Sequence, residues 1–172
     1  MVRRVFLASC VAVAVAMACR SGSASAEPLP SPAGKVVLLV AGAVANGNGP
    51  DGAAFDMAML ERLGTVQVRT RTPWTEGETL FEGVPLPRLL EAAGARGTTA
   101  EAAALNGYRV EIPVADAVAA RAIVALRADG KEMRVRDKGP LWIVFPWSQD
   151  PGLDRDDVHV RAVWQLKELR IR

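Results

Sequence analysis

Few residues of this 172-residue chain could do chemistry. Its one histidine, His159, lies in a polar run between two valines. That setting reads as a surface or half-buried strand histidine ahead of a catalytic base. Ser148 is the only serine beside an apolar strand end, and nothing pairs it with His159 at a nucleophile–base spacing, so it reads as a turn residue. Asp150, Asp154, Asp156 and Asp157 could suggest calcium, but the alternating acidic loop of a calcium site is absent. A solvated turn is the leading reading there. Asn46-Gly-Asn-Gly49 runs into Pro50 and Asp51, so it is no phosphate-cradling loop. More suggestive are the tryptophans. Trp74 follows Thr70-Arg-Thr-Pro73, Trp142 lies inside an apolar run, and Trp147 follows Pro146. Tryptophan and arginine at strand ends can line a pocket for a planar or anionic ligand. The competing reading is that these large rings pack the core.

The elements that must position these residues read as strands and short helices. Lys35–Val40 is a β-rich apolar run, followed by a turn over Asn46–Gly52. Phe55, Met59 and Leu63 recur at helical spacing, predicting a short helix over Ala54–Leu63 capped by Gly64. Val66–Thr72 alternates as a strand, and Leu80–Gly83 leads to Pro85. Pro87 starts a helix through Leu89, Leu90 and Ala93 that Gly94 ends. A strand is expected within Ala104–Pro113, with Tyr108, Val110 and Ile112 on one face, and a helical turn over Asp116–Ala120. Ala122–Leu126 and Met133–Val135 frame a hairpin turn at Asp129-Gly130. Leu141–Phe145 and Leu166–Ile171 complete the strands. Strands outnumber helices and most connections are short, which predicts an α+β domain on a mixed, mostly antiparallel sheet with short helices.

The N-terminus reads as a targeting signal. Arg3 and Arg4 precede an apolar run over Val5–Ala18, then a polar stretch ending in Ala24-Ser25-Ala26. Small residues at those positions are what signal peptidase requires, so a cut is expected after Ala26. The apolar run is shorter than the about 20 residues that span a bilayer. The expected organisation is a signal peptide over 1–26, a Pro- and Ser-rich flexible lead-in over 27–34, and one domain over 35–172. That domain is expected to be periplasmic or secreted, with no transmembrane segment. Arg3-Arg4-Val-Phe-Leu7 also resembles a twin-arginine signal, with Val2 where Ser or Thr is usual. An ordinary secretory start is the leading reading, and the route stays open. Cys19 weakly resembles a lipoprotein site, with Ala16 where Leu is usual.

Cutting the signal changes the chemistry available. Arg3, Arg4 and Arg20 leave, so the 21 basic residues become 18, one short of the 19 acidic ones. The basic overall balance belongs to the signal and gives no argument for a nucleic-acid partner. Cys10 and Cys19 leave as well. The mature domain then has no disulfide, no cysteine nucleophile and no thiolate ligand, and a zinc site is excluded.

Four segments, taken in order, resemble the molybdopterin-binding domain of the sulfite-oxidase family. They are Phe81-Glu-Gly-Val-Pro-Leu-Pro-Arg-Leu-Leu90, Asn106-Gly-Tyr108 running to Ile112-Pro113, Ala128-Asp-Gly-Lys131, and Lys138-Gly-Pro-Leu-Trp-Ile-Val-Phe-Pro146. The closing Trp164–Ile171 resembles that family's final strand. Thr70-Arg-Thr-Pro-Trp74 resembles an element of a small exported subgroup. The resemblance implies an α+β sheet fold and a pocket for a pterin-type cofactor. It also marks departures. The family's metal-ligating cysteine precedes the Phe-x-Gly-Val segment, and here Thr70 or Thr72 lies nearest that place. A threonine hydroxyl is a poor substitute for a soft thiolate. Trp142 stands where the family has an arginine, and the arginine-rich stretch is reduced to Arg69 and Arg71.

Three readings follow. The first is a domain that binds a small-molecule ligand or a protein partner without redox catalysis. Its pocket would be lined by Thr70, Thr72, Trp74, Tyr108, Trp142 and Trp147, with no cofactor or metal expected. The second is a molybdopterin-dependent oxidoreductase with a cysteine-free metal site. The third is an accessory protein to an exported sensor or enzyme.

Overall fold

A computed structural model describes residues 29–172. The expected signal over 1–26 therefore lies outside the described residues. The chain runs β1 (Val36–Gly42), β2 (Ala53–Asp56), α1 (Met57–Arg62), β3 (Val66–Arg71), β4 (Glu78–Pro85), α2 (Leu86–Ala92), β5 (Thr99–Ala104) and β6 (Arg109–Pro113). It continues through α3 (Val114–Ala119), β7 (Ile123–Ala128), β8 (Lys131–Glu132), β9 (Trp142–Val144), α4 (Asp156–His159) and β10 (Leu166–Ile171). One sheet has the order β2-β1-β10-β5-β6. The other has the order β3-β4-β7-β8, and β9 also pairs with β7. Among the described residues, only the β1–β10 pair is parallel. The fold is thus α+β with mixed, mostly antiparallel sheets and short helices.

Both sheets feed one apolar core. Leu38 and Val40 of β1, Phe81 of β4, Leu89 of α2, Trp142 of β9 and Leu169 of β10 all belong to it. α2 forms as the spacing predicts: Leu86, Leu89, Leu90 and Ala93 are buried on one side. Pro87 sits in the first turn, where a missing N–H costs nothing. Gly64 and Gly94, expected to close the first two helices, both adopt left-handed backbone angles. Gly83 of the Phe-x-Gly-Val segment has a packing reason. A Cβ there would collide with the Val124 carbonyl and the Ala125 backbone of β7. The strand register shifts at this point, and only glycine lets the two backbones approach so closely.

Four expectations need correction, the smallest being the hairpin after β7: its second strand is β8, Lys131–Glu132, and Val135–Asp137 forms a 3-10 turn where a strand over Met133–Val135 was expected. Residues 54–56, predicted as the start of a helix, instead belong to β2, which pairs antiparallel with β1. Asp56 then caps α1 by accepting the Met59 N–H at 2.8 Å, so the helix starts later than the spacing implied. The strand expected within Ala104–Pro113 is present as β6, but it starts only at Arg109 and pairs in a hairpin, turning at Asn106-Gly107, with β5, which was not expected. Tyr108 falls in that turn. β5 is alanine-rich and poor in β-formers, yet it pairs with β10 on one side and β6 on the other. Lastly, Asp156–His159 forms α4, so His159 is helical rather than on a strand.

In the described part of the lead-in, the chain is tethered to the domain. Ala33 and Gly34 donate their backbone N–H groups to Asp56 Oδ2 at 2.9 and 2.8 Å. Pro30 accepts a hydrogen bond from Asn48 at 2.8 Å. Among the described residues, no helix is long and apolar enough to cross a membrane.

Candidate functional site

The Thr70–Trp74 element turns the chain sharply after β3. Thr72 Oγ accepts the Trp74 N–H at 3.1 Å and lies 2.9 Å from Thr75 Oγ. The Thr75 N–H bonds back to the Thr72 carbonyl, and Pro73 occupies the turn position its fixed φ suits. Upstream, Thr70 clasps the segment after β9. Ser148 donates its N–H to Thr70 Oγ at 3.0 Å, and Arg71 donates its N–H to Ser148 Oγ at 2.9 Å. Thr70 Oγ also donates to the Arg71 carbonyl at 3.1 Å. The two hydroxyls are therefore spent on holding two chain segments together.

That turn presents Trp74 to an aromatic cluster. Its ring centroid lies 6.0 Å from Trp142, 6.2 Å from Trp147, 5.1 Å from Trp164 and 6.1 Å from His159. All four tryptophans of the chain thus meet at one place. Trp142 is buried below, against Phe81 at 5.3 Å. The indole N–H groups of Trp142 and Trp147 are buried without a protein hydrogen-bond partner, so the cluster is held by ring contacts.

A cleft of about 260 Å³ opens over this cluster. Trp74, Tyr108, His159 and Trp164 form its walls, joined by Asn106 and Val160. Tyr108 is fixed by donating its hydroxyl to the Val160 carbonyl at 2.8 Å. His159 Nε2 lies 2.9 Å from Asp154 Oδ1, and its Nδ1 lies 3.9 Å from Asp156 Oδ1. A broader hollow of about 570 Å³ lies on the other side of the Thr72 turn, lined by Arg71, Thr72, Trp147, Ser148 and Asp154.

The six residues named from the sequence therefore do not share one cavity. Trp74 and Tyr108 line the cleft, and Thr72 and Trp147 line the hollow. Thr70 and Trp142 are buried and line neither. His159 and Trp164, which sequence reasoning left out of the pocket, complete its walls. The available signal was weak: a histidine behind an acidic run, and a tryptophan just before the last strand. Arg69 and Arg71 do not reach the cleft.

Comparison with known families bears on this arrangement. The model of the oxidoreductase molybdopterin binding domain matches residues 57–149. The chain belongs to that family. No curated protein matches it. The matched region holds Thr70, Thr72, Trp74, Tyr108, Trp142 and Trp147 but ends before α4. His159 and Trp164 come from the segment beyond it, so the cleft straddles the edge of the family match.

The family's metal–pterin group can be tested against these side chains. Molybdenum in such a site calls for a soft thiolate, and residues 29–172 contain no cysteine. Thr70 Oγ, nearest the expected ligand position, is buried and committed to Ser148 and Arg71. Among the described residues, no cluster of three or more His, Cys, Asp or Glu could hold a metal ion. No lysine or arginine lines the cleft, and among the residues lining the hollow beside Thr72 only Arg71 could receive a cofactor phosphate. The residues present do not fit that group.

Proposed function

We propose that this chain is an exported domain that uses the molybdopterin-binding oxidoreductase fold to hold a small ligand, without redox catalysis. The observation that carries the reading is a contrast within one turn. Thr70 and Thr72, at the expected metal position, are consumed by hydrogen bonds, while Trp74 two residues later walls a cleft with Tyr108, His159 and Trp164. An apolar concavity with a few convergent polar groups is the usual form of a small-molecule site. Export rests on the signal-like N-terminus, and its check is the mass of the exported form, expected to begin at Glu27.

Family membership favours a second reading, a molybdopterin oxidoreductase with an unusual ligand set. One measurement separates the two. The protein is purified folded from the exported fraction of its host grown with molybdate, and molybdenum and pterin are quantified. Neither is expected. Near one equivalent of each would overturn the binding reading and make Thr70 and Thr72 the first residues to mutate. In parallel, a fragment panel is screened by thermal unfolding. A ligand at about a hundred times its dissociation constant adds about 2.7 kcal/mol to stability. An equal response from Trp74→Ala and the wild type would show that the cleft is not the site.

A further inference from the structure

We infer that the ligand of the Trp74 cleft is a compact organic cation, of the quaternary or methylated ammonium class. This rests on the ligand-binding reading above and adds the chemistry of the ligand. Shape is the first argument. Trp74 and Trp164 meet at 75° with centroids 5.1 Å apart, and Tyr108 comes from a third element, the β5–β6 turn. Parallel plates would sandwich a flat ring. Two indoles in edge-to-face contact, with a third ring across the cleft, offer an angled wall that suits a rounded head group better than a flat one, and aromatic faces attract cations.

Charge is the second argument. No lysine or arginine lines the cleft. The cations around it are engaged elsewhere: Arg155 pairs with Asp157 at 3.0 Å, and Arg161 pairs with Asp116 at 3.1 Å. Lys138 Nζ lies 5.8 Å from the centroid of the Trp142 ring, which is buried and not part of the lining. The nearest carboxylates stand behind His159, and Asp154 itself lines the neighbouring hollow. Asp154 and Asp156 both approach the His159 ring, and both are well exposed. Over Asp154–Arg161 there are three carboxylates against two guanidiniums. An anion would meet no cationic partner in the lining, whereas a cation would meet aromatic walls, with Asp154 and Asp156 set behind His159 rather than in the lining.

Hydrogen bonding is the third argument. Three polar atoms of the cleft are already in use. The Asn106 side-chain oxygen accepts the Tyr108 N–H at 3.0 Å, the Tyr108 hydroxyl donates to Val160, and His159 Nε2 is held by Asp154. A polar heteroaromatic ring would lose its hydrogen bonds to water with little return. A quaternary ammonium has no N–H to satisfy.

The test uses the full mature protein, with tryptophan fluorescence and thermal unfolding as readouts. The probes are tetramethylammonium, choline, choline's neutral carbon isostere 3,3-dimethylbutanol, and the flat neutral ring quinoxaline. Saturable binding of the two cations is expected, with choline about tenfold tighter than its isostere. Trp164→Leu should abolish it. Tyr108→Leu, which alters an exposed side chain, should weaken it and serves if Trp164→Leu does not fold. Added salt and Asp154→Asn should each weaken the cations and leave the isostere unchanged. Equal affinity for choline and its isostere would overturn the inference. Binding of quinoxaline alone, lost in Trp164→Leu or Tyr108→Leu, would overturn it while sparing the ligand-binding reading. No saturable binding of any probe would count against both.

Discussion

Asp56 and His159 are the polar centres of two regions, and they are used in opposite ways. Asp56 is buried and saturated. Its two oxygens accept three backbone N–H groups, from Ala33, Gly34 and Met59, so one side chain caps α1 and ties down the chain before β1. His159 is half-buried and has one close partner, Asp154, whose own side chain is 69% exposed. Around Asp56 three backbone N–H groups of the domain are accepted, and the side chain serves to hold the chain in place. Around His159 the polar contacts are few and sit beside an open aromatic cleft. A saturated polar centre is a structural device, whereas a sparse one beside a cavity is where a ligand can add contacts. The same logic separates Thr70, spent on Ser148, from Trp74.

The comparison predicts that the cleft region owes its stability to rings rather than polar groups. Trp142→Ala removes a buried indole that packs on Trp74, Phe81 and Trp164, and is expected to cost about 3–5 kcal/mol in urea unfolding. A loss of under about 1 kcal/mol would mean the site collapses freely, and the cluster would not be the support proposed for the cleft.

Next in size is Asp56→Asn. The Gly34 N–H first, then those of Met59 and Ala33 together with the nearby Arg62 charge, hold the Asp56 carboxyl below its ordinary 3.8, against the opposing effect of burial. Because the folded-state value is the lower one, the stabilisation is present above 3.8 and is lost as pH falls through the folded-state value. Asparagine keeps the shape but turns one acceptor oxygen into a donor. The variant should be less stable than the wild type at neutral pH, and the gap should narrow as the wild type is acidified below 3.8. A gap that stays constant across acid unfolding curves would remove ionisation from the account. Cation binding at the cleft should not change.

How much of this could be read in the sequence follows from where each contact comes from. The strands β1, β3, β7, β9 and β10 were legible because their apolar or alternating runs match a local period. β5 was not. Thr99–Ala104 carries small side chains, and its strand state comes from neighbours β10 and β6, far away in sequence. The same holds for the site. Trp74 and Tyr108 stood out because they sit in motif segments with turn residues beside them. His159 and Trp164 reach the cleft only because the chain returns through α4 to β10, a tertiary crossing without a local signature. Thr70 could be placed near the expected metal position, but nothing in its neighbours showed that its hydroxyl would be taken by a residue 78 positions later.

That misplacement makes Thr70→Val a sharp test. Valine keeps the shape and removes the acceptor for the Ser148 N–H, which should cost about 1–3 kcal/mol. Binding of a cation in the cleft should be unchanged, because Thr70 does not line it. A variant with wild-type stability and lost ligand binding would reverse the assignment of Thr70 from clasp to site.

The smallest expected effect on stability is that of Asp154→Asn, and it bears most directly on the contrast with Asp56. Asp154 is exposed, and an exposed pair contributes about 0–1 kcal/mol. Thermal unfolding should therefore scarcely change. The His159 contact can survive with a neutral acceptor, so the ring should keep its place while the local negative charge is lost. Titration with tetramethylammonium should then show weaker binding in a protein of near wild-type stability. If Asp154→Asn instead destabilised the fold as much as Asp56→Asn, His159 and Asp154 would be another saturated structural pair, and the division of labour between the two regions would fail.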